Sequence, residues 1–135
     1  AEGLVRRLCD AGVKVNVTAI TTSDQAWEAA LAINQGTGIV SIFAGRIADT
    51  GWNPEWVVAP ACQWIRKGIP KVEVLWASTR EVLNIFQADA CGCDIITVTP
   101  DLIKKFPLVG KDLGEYSLET VRQFYEDGQQ AGYTL

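Results

Sequence analysis

Gly38-Ile39-Val40-Ser41-Ile42-Phe43-Ala44-Gly45-Arg46-Ile47-Ala48-Asp49 is the stretch whose reading decides the fold. Ile39, Val40 and Ile42 are β-branched, which suits a pleated, buried strand. Ser41 and Phe43 share one face of that strand, because side chains two apart point the same way. The chain then breaks at Ala44-Gly45 and presents Arg46. A strand ending in a turn that carries a hydroxyl, an aromatic ring and a guanidinium reads as the carboxyl end of a parallel strand. Parallel α/β proteins place their chemistry at such ends, and Arg is the side chain suited to a bidentate grip on phosphate. The stretch taken alone also fits a core strand trailed by a solvated arginine.

Working outward, Glu2 to Ala11 reads as a helix stopped by Gly12. Val13 to Ile20 reads as a strand whose β-branched density suggests burial on both faces. Gln25 to Gln35 reads as a helix capped by Ser23 or Asp24 and ended by Gly36. After the Gly51-Trp52-Asn53-Pro54 loop comes a helix from Glu55 to Lys67, with Pro54 suited to its start. Val72 to Ala77 is the next strand, Arg80 to Ala90 the next helix and Ile95 to Thr99 the last strand. Pro100-Asp101 opens a short helix to about Phe106. Ser117-Leu118-Glu119-Thr120 has the form of a cap for a final helix ending near Ala131.

The order is one helix, four strand–helix units and a final helix. This alternation predicts a parallel sheet with right-handed crossovers. Units of about 25 to 30 residues suit a (β/α) barrel, and a complete eight-unit barrel needs roughly 200 residues or more. The expected architecture is therefore α/β, with residues 1–135 forming a single domain that is half of a TIM barrel. A small open doubly wound sheet is the competing arrangement.

The totals narrow the function. A chain of 135 residues is the usual size of one domain. Its net charge of -4 argues against a nucleic-acid or anionic-membrane surface, though not against a local basic pocket. No apolar run is long enough to span a bilayer, and no signal peptide is evident. The sequence has no Met, not even at its start, which leads us to expect a processed or truncated piece of a longer protein. It has no His either, which removes the commonest general base and metal ligand. Cys91-Gly92-Cys93 is too tight for a usual zinc pairing and lacks a second pair. The cysteines, with Cys9 and Cys62, read as free thiols of a reducing, cytoplasmic compartment. No metal or cofactor is expected.

The polar exceptions within the strands form a pattern. Asn16 and Thr18, Ser41 and Phe43, Trp76 and Ser78, and Thr97 and Thr99 each share a face near the carboxyl end of a strand. A single Ser or Thr in such a place ordinarily bonds to backbone. The same pattern on all four strands points instead to a wet, functional mouth, because buried hydroxyls and amides need partners. Arg46 and Arg80 each follow one of these strands. With the hydroxyls and turn amides of Ser78-Thr79-Arg80 they can hold a dianionic phosphate.

These residues resemble a family. Val15-Asn16-Val17-Thr18-Ala19, Gln25-Ala26, Ser41-Ile42-Phe43-Ala44-Gly45-Arg46-Ile47, Ala77-Ser78-Thr79-Arg80 and Asp94-Ile95-Ile96-Thr97-Val98-Thr99-Pro100 resemble successive motifs of the transaldolase family, fructose-6-phosphate aldolase-like members included. The likeness covers nearly the whole chain. Ile42 stands where the family has Pro, and Thr79 where it has Phe. The resemblance implies class I aldolase chemistry on a (β/α)8 barrel, with a lysine forming a Schiff base to a ketose phosphate or dihydroxyacetone unit. It implies that Thr18 helps orient the catalytic water, that Asn16, Ser41 and Phe43 contact or line the substrate channel, and that Arg46, Ser78 and Arg80 bind the sugar phosphate. The family's Schiff-base lysine falls just before a segment like Ala1-Glu2-Gly3-Leu4. Lys14, Lys67, Lys71, Lys104, Lys105 and Lys111 are none of them in that position, so the chain alone is expected to be inactive. The open edges of a half barrel predict a homo-oligomer. Two alternatives are a non-enzymatic half barrel that assembles with itself or a partner, and a simple phosphate-binding α/β domain.

Overall fold

The computed structural model describes residues 2–34 and 36–133. It divides into two compact units, Ala1–Ile103 and Lys104–Leu135. In the first unit α1 (Glu2–Asp10) leads to β1 (Val15–Ile20), then α2 (Ser23–Ile33), β2 (Gly38–Ile42), α3 (Ala44–Asp49), α4 (Glu55–Gly68), β3 (Val72–Trp76), α5 (Leu83–Cys91), β4 (Ile95–Ile96) and α6 (Pro100–Ile103). The second unit holds a 3-10 turn (Phe106–Leu108) and α7 (Leu113–Gln130).

The four strands lie in the order β1-β2-β3-β4, and every pair is parallel. A doubly wound sheet reverses its strand order at a switch point. The sequential order seen here is that of a partial (β/α) barrel, as the alternation predicted.

One face of the sheet is packed. Val40 and Ile42 of β2 and Val72, Val74 and Trp76 of β3 form one core with α2, α4 and Ala88 of α5. The two main helices present matching stripes to it: Ala26, Ala29, Ala30 and Ile33 on α2, and Val58, Ala61, Cys62 and Ile65 on α4. Both stripes have the i, i+3, i+4, i+7 spacing that puts side chains on one helical face. Burying each Val or Ile of this core stabilises it by roughly 1.5–3 kcal/mol relative to exposure.

The other face carries Asn16 and Thr18 of β1, Ser41 of β2, and Glu73 and Leu75 of β3, by alternation and register. Burial of β1 on both faces is not observed: Asn16 and Thr18 are exposed, because β1 is an edge strand. Trp76 was expected to share the mouth face with Ser78. It is instead 1% exposed in the helix-facing core, in register with Ile42 and Ile96. Ser78, at φ 62, leaves the extended conformation and resets the alternation after β3.

Several boundaries differ from expectation for local reasons. Thr22, not Ser23 or Asp24, caps α2: it accepts the Gln25 N–H while the Gln25 side chain reaches back in a reciprocal capping box. The expected last residue of that helix, Gln35, lies outside the described residues, as does Ala1. Ala44–Asp49, read as a turn, is the short helix α3. The helix after β3 begins at Leu83 rather than Arg80, because Asn84 Oδ1 accepts the N–H groups of Arg80 and Glu81 ahead of it. Helix α7 starts at Leu113, where Asp112 accepts the Glu115 N–H at 3.0 Å, rather than at the Ser117 signature.

Gly45 fixes how the ends of β2 and β3 meet. A Cβ built there would lie 1.8 Å from the Ser78 carbonyl oxygen, so only glycine fits. Gly45→Ala is expected to cost at least about 2 kcal/mol, since the obstacle is backbone and cannot rotate away. Urea unfolding of the two proteins measures this, and an unchanged midpoint would contradict it.

Candidate functional site

The sequence-predicted site residues fall into two groups at the carboxyl ends of the strands. The first lies on the sheet face away from α2 and α4. Ser41, 3% exposed, donates its hydroxyl to Asn16 Oδ1 at 2.7 Å. This bond joins neighbouring strands and satisfies a hydroxyl that burial would otherwise leave costly. Thr18 stands two residues further along β1, on the same face. The pairing of β1 with β2 shifts register between Val17 and Ile20, and Ala19 has φ 64, a strained value for a residue with a Cβ. Phe43 is half-buried just past β2, its N–H donated to the Ile20 carbonyl at 2.8 Å.

The second group surrounds a cleft of about 280 Å³ lined by Arg46, Ser78, Thr79, Arg80, Thr97, Val98 and Thr99. Three predicted residues, Arg46, Ser78 and Arg80, are therefore brought together, although they come from the segments after β2 and β3. Thr97 and Thr99 reach the same cleft from the end of β4. Asn16, Thr18, Ser41 and Phe43 do not line it.

Helix α3 explains how the two arginines are arranged. It carries Arg46 and, three residues on, Asp49. Asp49 Oδ2 accepts from the Arg80 guanidinium at 3.0 Å. Both side chains are about half exposed, so water and salt screen the pair and its contribution to stability is small, below about 1 kcal/mol. Its geometric effect is larger, because it holds the Arg80 fork on the α3 side. The Arg46 guanidinium has no hydrogen bond or ion pair among the described residues. The cleft thus offers one anchored and one free cation beside the hydroxyls of Ser78, Thr97 and Thr99. Chemically this fits a small oxyanion.

Sequence reasoning missed Asp49 and Asn84. Asp49 would have been found had Ala44–Asp49 been read as a helix, since an i, i+3 pair shares a face. Asn84 Oδ1 holds the turn that carries Arg80, accepting from Arg80 N–H at 2.9 Å. No spacing in the chain signals that role.

No lysine of the first unit lines the cleft. Lys14 precedes β1 and pairs with Glu73 at 2.7 Å, at the opposite end of the strands from Thr18. Lys67 lies in the last turn of α4, and Lys71 just before β3. No group of His, Cys, Asp and Glu that could hold a metal ion is found among the described residues. Among them, too, no helix is long and apolar enough to cross a membrane.

The family model described as transaldolase/fructose-6-phosphate aldolase matches residues 3–135. A curated protein of Desulfotalea psychrophila named "probable transaldolase" is 36% identical over 121 residues, covering 86% of this chain and 55% of that relative. One of the same name from Thermus thermophilus is 33% identical over 134 residues, covering 96% of this chain and 55% of the relative. A third, from Methanococcus maripaludis, is 30% identical over 115 residues, 83% of this chain and 52% of the relative. The chain spans about half the length of these curated relatives.

The Asn16–Ser41 bond gives a direct test of the face away from the helices. Asn16→Ala should cost about 1–2 kcal/mol, because it strands a buried hydroxyl. Ser41→Ala added to it should recover part of that loss, since no unpaired hydroxyl then remains. Chemical denaturation of the two single variants and the double variant reads the coupling. Strictly additive losses would show that the bond contributes nothing.

Proposed function

This chain belongs to the transaldolase/fructose-6-phosphate aldolase family, and from that premise we propose that it carries the phosphate-binding side of a class I aldol-transfer site. In this reading a lysine amine adds to the carbonyl of a ketose phosphate and expels water as a Schiff base. The carbon–carbon bond beyond it then breaks, and the dihydroxyacetone unit passes to an aldehyde or is released by water. Arg46, Arg80 and Ser78 hold the substrate phosphate. Phe43 and Ser41 line the channel toward the reacting carbon, Asn16 orients Ser41 and contacts substrate, and Thr18 orients the catalytic water. Binding energy from the phosphate end is then available at the reacting carbon.

The observation that carries this reading is the convergence of Arg46, Ser78 and Arg80 on one cleft, where family likeness and chemistry both expect an anion. Asp49 adds a positioning role by fixing Arg80. The positions of Lys14, Lys67 and Lys71 support the further proposal that the Schiff-base amine comes from outside these 135 residues, so the chain alone is inactive. A cytoplasmic setting belongs to the same reading and rests on four free thiols. So does self-association, supported by the outer edges of β1 and β4.

Titration calorimetry with inorganic phosphate tests the anion site. Arg46→Ala and Arg80→Ala should each weaken binding by about tenfold or more, the usual effect of losing a charge-assisted hydrogen bond. Equal affinity in wild type and the double variant would overturn the site. Borohydride reduction in the presence of fructose 6-phosphate should leave every lysine of this chain unmodified. A stable adduct on any of them would show that the nucleophile is misplaced.

Oligomeric state is read by analytical ultracentrifugation. A dimer or larger species is expected, and a monodisperse monomer would remove self-association from the proposal.

A further inference from the structure

Away from the cleft, on the helix side of the sheet, two cysteines separated by 31 residues meet. Cys62 lies on the buried stripe of α4, and Cys93 follows the Gly92 cap of α5. Their sulfurs are 3.8 Å apart. Arg66, one turn beyond Cys62 on α4, donates to the Gly92 carbonyl at 2.6 Å and approaches Asp94 at 3.5 Å. It thereby holds the turn bearing Cys93 against α4. Cys62 is only 3% exposed, yet it lines a surface cleft of about 380 Å³ together with Arg66, Lys67, Cys91 and Gly92. A small reagent has a route to it.

We propose that Cys62 and Cys93 form a redox-modification site, which a hydroperoxide converts to an intrachain disulfide between α4 and the turn entering β4. The Cys62 thiolate attacks one oxygen of hydrogen peroxide. The O–O bond breaks, hydroxide leaves and takes up a proton as water, and Cys62 becomes a sulfenic acid. Cys93 then attacks the Cys62 sulfur after giving up its proton, the S–O bond breaks, and the oxygen leaves as a second water. The two sulfurs together lose two electrons, and the peroxide gains them. A disulfide requires the sulfurs to close from 3.8 Å to a bond of about 2.05 Å.

The environment sorts the three thiols into roles. Either sulfur can donate in the Cys62–Cys93 contact; this hydrogen bond lowers the Cys62 pKa despite opposing burial and the Asp94 charge, with Arg66 assisting. The same bond, with burial, raises the Cys93 pKa, so Cys93 suits the resolving position. Burial, Glu55 and Cys62 push Cys91 up to about 11, which leaves it a protonated bystander. The disulfide would brace the β3–β4 pair from outside, since Asp94, next to Cys93, accepts the Val74 N–H of β3 at 2.8 Å. This inference does not rest on the aldol-transfer reading.

Peroxide treatment of the reduced chain, followed by alkylation and peptide mapping by mass spectrometry, tests it. Wild type should lose two hydrogens, keep two of its four thiols alkylatable and yield a Cys62–Cys93 linked peptide pair. Cys91→Ser should behave the same. Cys93→Ser should form no internal cross-link and should leave Cys62 as a sulfenic acid that dimedone traps. Four alkylatable thiols after treatment, or a cross-link to Cys91, would overturn the proposal. So would dimedone labelling of Cys91 rather than Cys62.

Discussion

The candidate site depends on the absence of one side chain. Gly45 lets the turn after β2 lie against the turn after β3, where any Cβ would meet the Ser78 carbonyl at 1.8 Å. The backbone around this contact is bonded on both sides: Ala77 N–H reaches the Ile42 carbonyl at 2.8 Å, and Gly45 N–H the Ala77 carbonyl at 3.4 Å. Arg46 follows Gly45 directly, and Arg80 follows Ser78 by two residues. The close approach therefore sets the spacing of the two guanidiniums. Two cations act on one anion only when both lie within hydrogen-bond reach of it. Spreading the two turns would leave each arginine solvated by itself.

The alternation of strands and helices was legible because each strand is short, β-branched and bounded by Gly or Pro, and because α2 and α4 bury a four-residue stripe with a clear helical period. What failed to show was decided by neighbours in space. Val15 to Ile20 has the composition of a strand buried on both faces, but its position at the edge of the sheet exposes Asn16 and Thr18. Thr22-Ser23-Asp24-Gln25 offers three caps for one helix, and the reciprocal bond with Gln25 selects Thr22. Helix α3 was hidden because Ala44-Gly45 carries a turn signal, while its glycine serves close packing.

The same division runs through the site. Arg46, Ser78 and Arg80 could be nominated from residue type and position after a strand, and the fold brings them to one cleft. Trp76 faces the helices rather than the mouth, because strand alternation does not carry through to Ser78, where the backbone turns to positive φ. The Asp49–Arg80 pair spans 31 residues, as does the Cys62–Cys93 contact. Neither separation has a period, so only the fold reveals them.

The segment from Trp76 to Thr79 breaks local rules more than any comparable stretch of the sheet. Trp76 Nε1 and Thr79 Oγ1 are buried without a hydrogen-bond partner, and each such group costs about 1–3 kcal/mol. Ser78 between them holds a strained φ of 62. All of this strain lies at one strand end, the one that faces Gly45. The helix-facing core a few residues earlier, at Val72 and Val74, has no such fault. A chain selected for stability alone would have little reason to keep three unfavourable features within four residues. Sites that present groups to a ligand are where local consistency is expected to yield. The distribution of strain singles out the β3 end independently of charge, and two of its three residues, Ser78 and Thr79, line the cleft that holds Arg46 and Arg80.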